Sequence, residues 1–471
     1  LDRLGLEGTT KILVFTDSRR ECDEVAAVLR EATSFGERVF AHHASLSKDT
    51  RLHAERSFLA EAGAICVATS TLELGIDIGD IDLIVLWGRA LGWQSFLQRI
   101  GRGNRRSDTV NVLCAVPADR ALRLSGAVGF QALFHQIESE RLEADEPLAI
   151  FGAACQQLLS LVVARDGAYV RASELVELFA AWPHLDPVAI QLMLDELVAR
   201  EVLVRHPVKR WYGPGERLYE IVDQRLIWSN LPLSGRDIAV FSGAHEVGRI
   251  AGQNLLKLDV GSVFALGGRR YRVSRLQADR IDVAVSTESA TMRLAFGGVG
   301  AELDPTLLEA ELRLLADGGG AQVMPASDAD RLAETLSVLH RAQDLDTLVY
   351  CRVGGRVHHL TFAGKLLNTL IAAWLSIEGA EAGEVSLVAD EVVDLSTIPG
   401  TVDGFGELLR DIDLGDKRQS IFQGMLPAEL LVRERLELWH RRPVFRRTLQ
   451  RLRSSTPVSA PLPTGFDLEL G

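Results

Sequence analysis

The segment Gln98-Arg-Ile-Gly-Arg-Gly-Asn-Arg105 carries the densest chemistry in the chain. On a helix, Gln98, Arg102 and Arg105 fall at i, i+4 and i+7 and share one face. Two guanidinium groups and an amide aimed at one point suit a triphosphate. The planar fork of arginine meets phosphate oxygens in pairs and stays charged. Such arginines stabilise the charge that develops as a γ-phosphoryl group leaves. By residue type alone, a solvated basic helix face fits as well. Gly101 and Gly103 favour the phosphate reading, because glycine inside a helix costs stability unless something must approach closely.

A second segment, Ala68-Thr-Ser-Thr-Leu-Glu-Leu-Gly-Ile-Asp77, follows directly on the apolar run Ala64 to Val67. If that run is a buried parallel strand, Thr69 and Ser70 stand at its carboxyl end, where open α/β sheets bind ligands. Hydroxyls and amides there can hold a backbone phosphate, which positions a strand without reading its sequence. Ser/Thr capping of a following helix is the plainer alternative. Asp77 is placed to accept from a ribose hydroxyl or to orient an arginine. A third segment, Ile12 to Arg20, ends a strand in Thr16 and opens a helix with Ser18, Arg19 and Arg20. That is another start suited to phosphate, or a plain cap. His42 and His43 are adjacent, but no carboxylate or cysteine stands at ligand spacing, so no metal site is expected.

These segments need a scaffold, and the apolar runs supply one. Residues 1–118 alternate short Val/Ile-rich runs (Lys11 to Phe15, Arg38 to His42, Ala64 to Ala68, Leu83 to Trp87, Val110 to Ala115) with amphipathic or polar stretches. That alternation predicts a parallel sheet with helices on both faces. Residues 119–146 read as a helical connector. Residues 147–222 read as helices over Pro147 to Arg165, Ser173 to Ala181 and Asp186 to Arg200, then strands over Glu201 to Arg205 and Arg217 to Ile221 about a Gly-Pro-Gly turn. Three helices and a hairpin make a winged-helix pattern. Residues 223–300 are β-rich, with strands over Ser262 to Ala265, Arg270 to Ser274 and Ile281 to Ser286. Residues 301–471 mix helices and strands into an α/β accessory domain. The fold class is therefore multidomain α/β.

Composition narrows the function. The chain has 471 residues, 47% of them hydrophobic, enough for several cores. Its net charge of −13 argues against coating nucleic acid through bulk positive charge. A local groove remains open, and Trp439 to Arg453 is basic. The five cysteines are scattered without a CxxC pair, which points to a reducing cytoplasm rather than a disulfide or zinc scaffold. No apolar run reaches the roughly 18 residues of a membrane span. The chain opens on Leu1 about ten residues before a strand pattern, which reads as a piece of a longer protein.

Together the three segments resemble the second RecA-like lobe of superfamily-2 helicases. Ile12 to Arg20 is similar to motif IV, Val67 to Asp77 to motif V, and Gln98 to Arg105 to motif VI, with its QxxGRxxR spacing. Closer still is the resemblance to the Lhr, or large helicase-related, family. "HHASLS" and "TSTLELGIDIGDIDLIV" are similar to its signatures, and the winged helix and the later "VGSVFALGGRRYRV" and "GGRVHHLTFAGKLLNTLIA" follow in its order. Ala44 and Asn104-Arg105-Arg106 depart from the usual family residues. The resemblance implies an ATP-dependent, 3′-to-5′ single-stranded DNA translocase or helicase acting in DNA repair, with single-stranded or partly duplex DNA, or an RNA–DNA hybrid, as partner. It implies Arg102 and Arg105 as arginine fingers, Gln98 as γ-phosphate sensor, and Gly75, Asp77 and Gly101 lining the nucleotide. Strand contacts would come from Thr16, Ser18, Arg19, His43, Thr69 and Ser70. ATP and Mg²⁺ would be held mainly by a first lobe, since no G-x-x-x-x-G-K-[ST] occurs in the chain; alone it is expected to be inactive. Lys209, Arg210, Trp211 and Tyr212 offer a wing contact that combines cations with aromatic rings. An RNA helicase, or a binding module without a motor, are the alternatives.

Overall fold

The structure is a computed structural model. It describes residues 10–73, 80–88, 91–103, 109–116, 126–139, 151–182, 185–223, 226–228, 237–251, 258–277, 280–288, 303–319, 322, 326–341, 347–406, 408, 420–440 and 443–461. Among these, the first five strands are β1 (Lys11–Thr16), β2 (Val39–His42), β3 (Ala64–Ala68), β4 (Leu83–Trp87) and β5 (Val112–Ala115). They pair in parallel in the order β2-β3-β1-β4-β5. Each is a nearly continuous apolar run because both sheet faces are covered. Helices α1 (Arg19–Ala32), α2 (Lys48–Ala60), α3 (Trp93–Ile100) and α4 (Gly126–Glu138) accompany them. One apolar layer holds Ile12, Val14, Cys22 and Ala26. The opposite layer holds Leu13, Phe15, Phe58, Phe96, Phe130 and Leu133.

The next body contains α5 (Phe151–Ala164), β6 (Val170–Arg171), α6 (Ala172–Leu178), α7 (Pro187–Ala199), β7 (Leu203–Arg205), β8 (Trp211–Pro214) and α8 (Glu216–Asp223). Its three-stranded sheet runs β6-β8-β7. Asp186 caps α7 through Ala189 N–H at 2.7 Å, with Pro187 at the first helical position. The strand expected at Arg217 to Ile221 is instead part of α8: Leu218 and Ile221 are buried at a three-residue spacing, which is a helical period. The Gly-Pro-Gly segment ends β8, where a Cβ on Gly215 would meet Glu201 O at 2.2 Å, and the hairpin turns at residues 206–210.

A second sheet follows: β9 (Asp237–Ser242), β10 (His245–Ala251), β11 (Val263–Leu266), β12 (Arg269–Leu276) and β13 (Arg280–Val285), in the order β10-β9-β13-β12-β11. It docks on the parallel lobe. Gly268 N–H donates to Asp23 at 3.0 Å, Arg30 donates to the Gly268 carbonyl, and Arg270 pairs with Glu31 at 2.7 Å. The last sheet contains β14 (Thr347–Val353), β15 (Arg356–Leu360), β16 (Glu381–Ala382), β17 (Ser386–Ala389) and β18 (Thr456–Ser459), ordered β16-β17-β15-β14-β18. Its helices are α9 (Pro305–Ala316), α10 (Ala326–Arg341), α11 (Lys365–Trp374), α12 (Ala428–His440) and α13 (Pro443–Ser454).

Two packings cross the boundaries expected from the sequence. Leu307 of α9 lies in the lobe's core with Phe96 and Phe130, and Gln136 donates to Thr306 at 3.0 Å. On the other side of α9, Arg447 binds Glu309 at 2.6 Å. Phe422, Leu426 and Leu430 join the core of the α5–α8 body, with Arg433 paired to Asp186 at 3.0 Å. No helix of the described residues is long and apolar enough to cross a membrane.

Candidate nucleotide and nucleic-acid site

The carboxyl ends of β1 and β3 converge beside α3, and Glu73 joins them. Its carboxylate accepts from Arg99 Nε at 2.8 Å and from Ser95 Oγ at 3.3 Å. Its backbone carbonyl accepts from Arg102 Nε at 3.2 Å and Nη2 at 2.7 Å. Arg99 also donates to Asp17 Oδ1 at 3.1 Å and lies 5.4 Å above the Phe15 ring. One residue therefore ties together the turn after β3, the end of β1 and the helix that carries Gln98. Arg99 is 6% exposed and engaged by two carboxylates. It was not singled out from the sequence, although the Arg pair in Gln98-Arg-Ile-Gly-Arg was the available signal. A buried arginine needs carboxylate partners, and Asp17 and Glu73 both lie within the segments already read as chemical.

The expected single helical face through Gln98, Arg102 and Arg105 does not hold. Helix α3 ends at Ile100, with Gly101 as its C-cap, so Arg102 sits in the following turn (its N–H bonds Arg99 O at 3.2 Å). The glycines are thus turn residues, not interruptions of a helix. A Cβ on Gly103 would stand 2.5 Å from Val110 Cγ1, so close packing explains that glycine. Gln98 is exposed. Arg105, Gly75 and Asp77 lie outside the described residues.

The hydroxyl candidates separate by burial. Thr16 is fully buried and its Oγ1 donates to Ser18 O at 3.3 Å, so it shapes the strand end and does not reach a ligand. Ser18 caps α1 by accepting from Glu21 N–H at 3.1 Å. Thr69 is 8% exposed; Ser70 is exposed at the carboxyl end of β3. Arg19 is half-buried, with Nη1 on Ser45 Oγ at 2.9 Å. His43 is 0% exposed and bonds Asp23 at 3.1 Å, the same carboxylate that receives Gly268 N–H. It is a docking residue between two sheets, which corrects its assignment as a strand contact. His42 bonds Glu55 at 2.8 Å and Thr71 at 2.9 Å, and burial lowers its pKa.

In the α5–α8 body, Lys209 and Arg210 are exposed at the hairpin tip, and Lys209 Nζ lies 4.1 Å over the Trp211 ring. Trp211 meets His206 edge-on at 5.8 Å, and His206 meets Tyr169 at 5.4 Å. Tyr212 is fully buried, with its hydroxyl on Gln191 at 3.1 Å, so it belongs to the core and not to the wing surface. Ala363-Gly-Lys365, a Gly-Lys pair of the kind that ends a phosphate-binding loop, stands at the start of α11, but the Glu384 carboxylate already accepts from Lys365 N–H at 3.1 Å. A carboxylate in that position disfavours a phosphate.

Residues 1–107 match the family model described as the helicase conserved C-terminal domain. Over 280 residues the chain is 26% identical to the ATP-dependent helicase Lhr-Core of Methanocaldococcus jannaschii, covering 58% of this chain and 32% of that protein. Over 305 residues it is 27% identical to the Lhr helicase/uracil glycosylase of Escherichia coli, covering 59% of this chain and 19% of that protein. The solved structure of Mycobacterium smegmatis helicase Lhr bound to ssDNA and AMP-PNP superposes with a TM-score of 0.55 at 17% identity. That likeness of fold covers 97% of this chain and 66% of the other. The chain spans about a third or less of the length of these two curated relatives. Residues 1–107 thus carry a helicase conserved C-terminal domain, and over more than half of its length the chain is similar to Lhr helicases.

Proposed function

We propose that this chain forms the second motor lobe and accessory region of an ATP-dependent, 3′-to-5′ single-stranded DNA translocase. The observation that carries the reading is the Glu73 junction: its carboxylate fixes α3 through Arg99, and its carbonyl receives Arg102. Arg99 is held by two carboxylates, whereas Arg102, in the turn after α3, is held by a backbone carbonyl at the sheet's carboxyl edge. A guanidinium in that place fits the polyphosphate of a nucleotide held between this lobe and another. Bound ATP, with Mg²⁺ held mainly by the facing lobe, supplies the phosphoanhydride whose cleavage powers movement.

The chain's own groups would then divide the work. Arg102 and Arg105 stand against the charge that develops on the departing γ-phosphoryl group. Gln98 reports its presence, and Gly75, Asp77 and Gly101 line the nucleotide. Ser70, Thr69, Ser18 and Arg19 face the strand's phosphates, while Thr16 supports them from inside. The α5–α8 body, with its β6-β8-β7 sheet, is read as a winged helix over residues 147–222, with Lys209, Arg210 and Trp211 as its contact to phosphate and base. Residues 1–118, 119–146, 223–300 and 301–471 are the lobe, the connector and two accessory domains, in a protein working in the cytoplasm. The names of the relatives, ATP-dependent helicases among them, support this reading.

The test is DNA-stimulated ATPase of the full-length protein. Arg102→Ala is expected to reduce turnover by about 10³-fold or more, as loss of an arginine finger does. Unchanged turnover would remove Arg102 from the reaction.

A further inference from the structure

Beyond the carboxyl end of β2 the lobe meets the β9–β10 hairpin along a backbone seam. Arg249 N–H donates to Ser45 O at 2.6 Å, Leu46 bridges Gly248, and Thr50 Oγ1 donates to Val247 O at 3.3 Å. Gly248 is required there, since a Cβ would stand 2.8 Å from Ser45 O. Leu46 is buried in the core of the hairpin's own sheet. The two walls are therefore fixed to each other. Between them opens a cleft of about 800 Å³.

The lobe side of this cleft carries Arg19, Lys48, Arg51 and His53; the hairpin side carries His245 and Arg249. Four formal cations and two histidines face two carboxylates, Asp49 and Glu246, in a chain whose net charge is −13. Glu246 is engaged by Arg249 Nε at 2.9 Å. Arg51 Nη1 holds the carbonyls of Ala44 and Leu46 at 3.2 and 2.7 Å, which fixes the loop. Among the described residues no Phe, Tyr or Trp lines the cleft, so charge dominates what it offers. Cations recognise a sugar-phosphate backbone independently of sequence. The volume suits one or two nucleotides of a single strand. Arg19 belongs both to this cleft and to the start of α1 beside Ser18, so the cleft continues from the sheet's carboxyl edge.

We infer that this cleft is a second strand-holding site, in which the β9–β10 hairpin and the loop after β2 clamp the backbone of a single strand running on from the motor lobe. The inference rests on the proposed reading that a strand crosses the carboxyl ends of β1 and β3. It adds the β9–β13 sheet to the binding surface and gives that sheet a reason to be docked rigidly.

The test uses the full-length protein, a fluorescein-labelled oligothymidine and a titration at several salt concentrations. Lys48→Glu combined with His245→Glu changes two exposed side chains on opposite walls. Lys365→Glu, an exposed cation on α11, is the charge control. Each phosphate contact on a single strand contributes about 0.7 to the slope of log affinity against log salt. The double variant should bind about tenfold or more weakly at low salt and lose about 0.7–1.4 from that slope, while the control keeps both. If wild type binds with a salt-dependent affinity and the double variant is indistinguishable from the control, the cleft is not on the strand and the motor reading stands. If wild type does not bind the oligonucleotide, both fall.

Discussion

Arg99→Met removes a guanidinium from between Asp17 and Glu73, whose side chains are 16% and 11% exposed. Each of its two charge-assisted bonds, at 3.1 and 2.8 Å, contributes about 1.5–3 kcal/mol. Counted instead as a buried pair broken from one side, the loss is about 3–5 kcal/mol. Partial water access to both carboxylates favours the low end, about 3 kcal/mol. A single unfolding midpoint is ill-defined for a chain of several bodies, so the assay is native-state hydrogen exchange, which reads opening free energies element by element. Protection of β1, β3 and β4 should fall on the order of 100-fold, at about 1.4 kcal/mol per factor of ten, while β14 and β15 keep theirs. Adding Glu73→Leu should restore part of the loss, because removing a second buried charge removes an uncompensated cost. Protection that drops by less than about threefold would refute the reasoning: α3 would then be held by packing alone, and Arg99 would not be what positions Arg102.

Two further outcomes follow from local geometry. Gly103→Ala places a methyl group 2.5 Å from Val110 Cγ1 and 3.1 Å from Ile84 Cδ1; it should destabilise the lobe by about 1–3 kcal/mol, read as lost protection of β4, and undiminished protection would contradict the packing account. His359 is buried between Leu387 O, which its Nδ1 meets at 3.2 Å, and Val393 N–H, which donates to its Nε2 at 2.9 Å. Burial lowers its pKa below the usual 6.5, and a proton on Nε2 would face the Val393 N–H. The unfolded chain therefore takes up a proton first as the pH falls, so stability present above about 6.5 declines between that value and the lower folded one. In native-state hydrogen exchange read at β15 and β17 from pH 7.5 to 5, corrected for the intrinsic exchange rates, His359→Gln should be less protected at neutral pH yet lose protection less steeply; a parallel decline would exclude His359 as a source.

The parallel lobe was legible because strands covered on both faces must be apolar throughout, and β1, β3 and β4 are. Motifs fixed the place of the chemistry but not its local form. Helix α3 stops at Ile100 because Gly101 and Gly103 end it, and spacing alone could not tell a helix face from a helix followed by a turn. Arg99 was missed because a charged residue reads as exposed until its carboxylates are found, and here they stand 82 and 26 positions away. His43 and Thr16 were overvalued for the converse reason: polar side chains beside a motif serve burial as readily as contact. Strands β9 and β10 were not read, since Asp237, His245, Glu246 and Arg249 break the alternation on which strand recognition depends. At 217–221, a five-residue apolar pattern fits either period, and only packing against the α5–α7 core decides for a helix.

The place of α9 bears on how the protein is made. Leu307 completes a core whose other members, Phe96, Phe130 and Leu133, precede it by roughly 170 residues or more. At about 5–20 residues per second, a ribosome needs about 10–30 s to reach it after the end of α4. During that interval the nascent lobe carries an open apolar groove where α9 will lie, and Leu91 O has yet to receive the Asp304 N–H that later meets it at 2.8 Å. The parallel lobe is thus finished late in synthesis, from a segment that also carries the Glu309–Arg447 tie to α13.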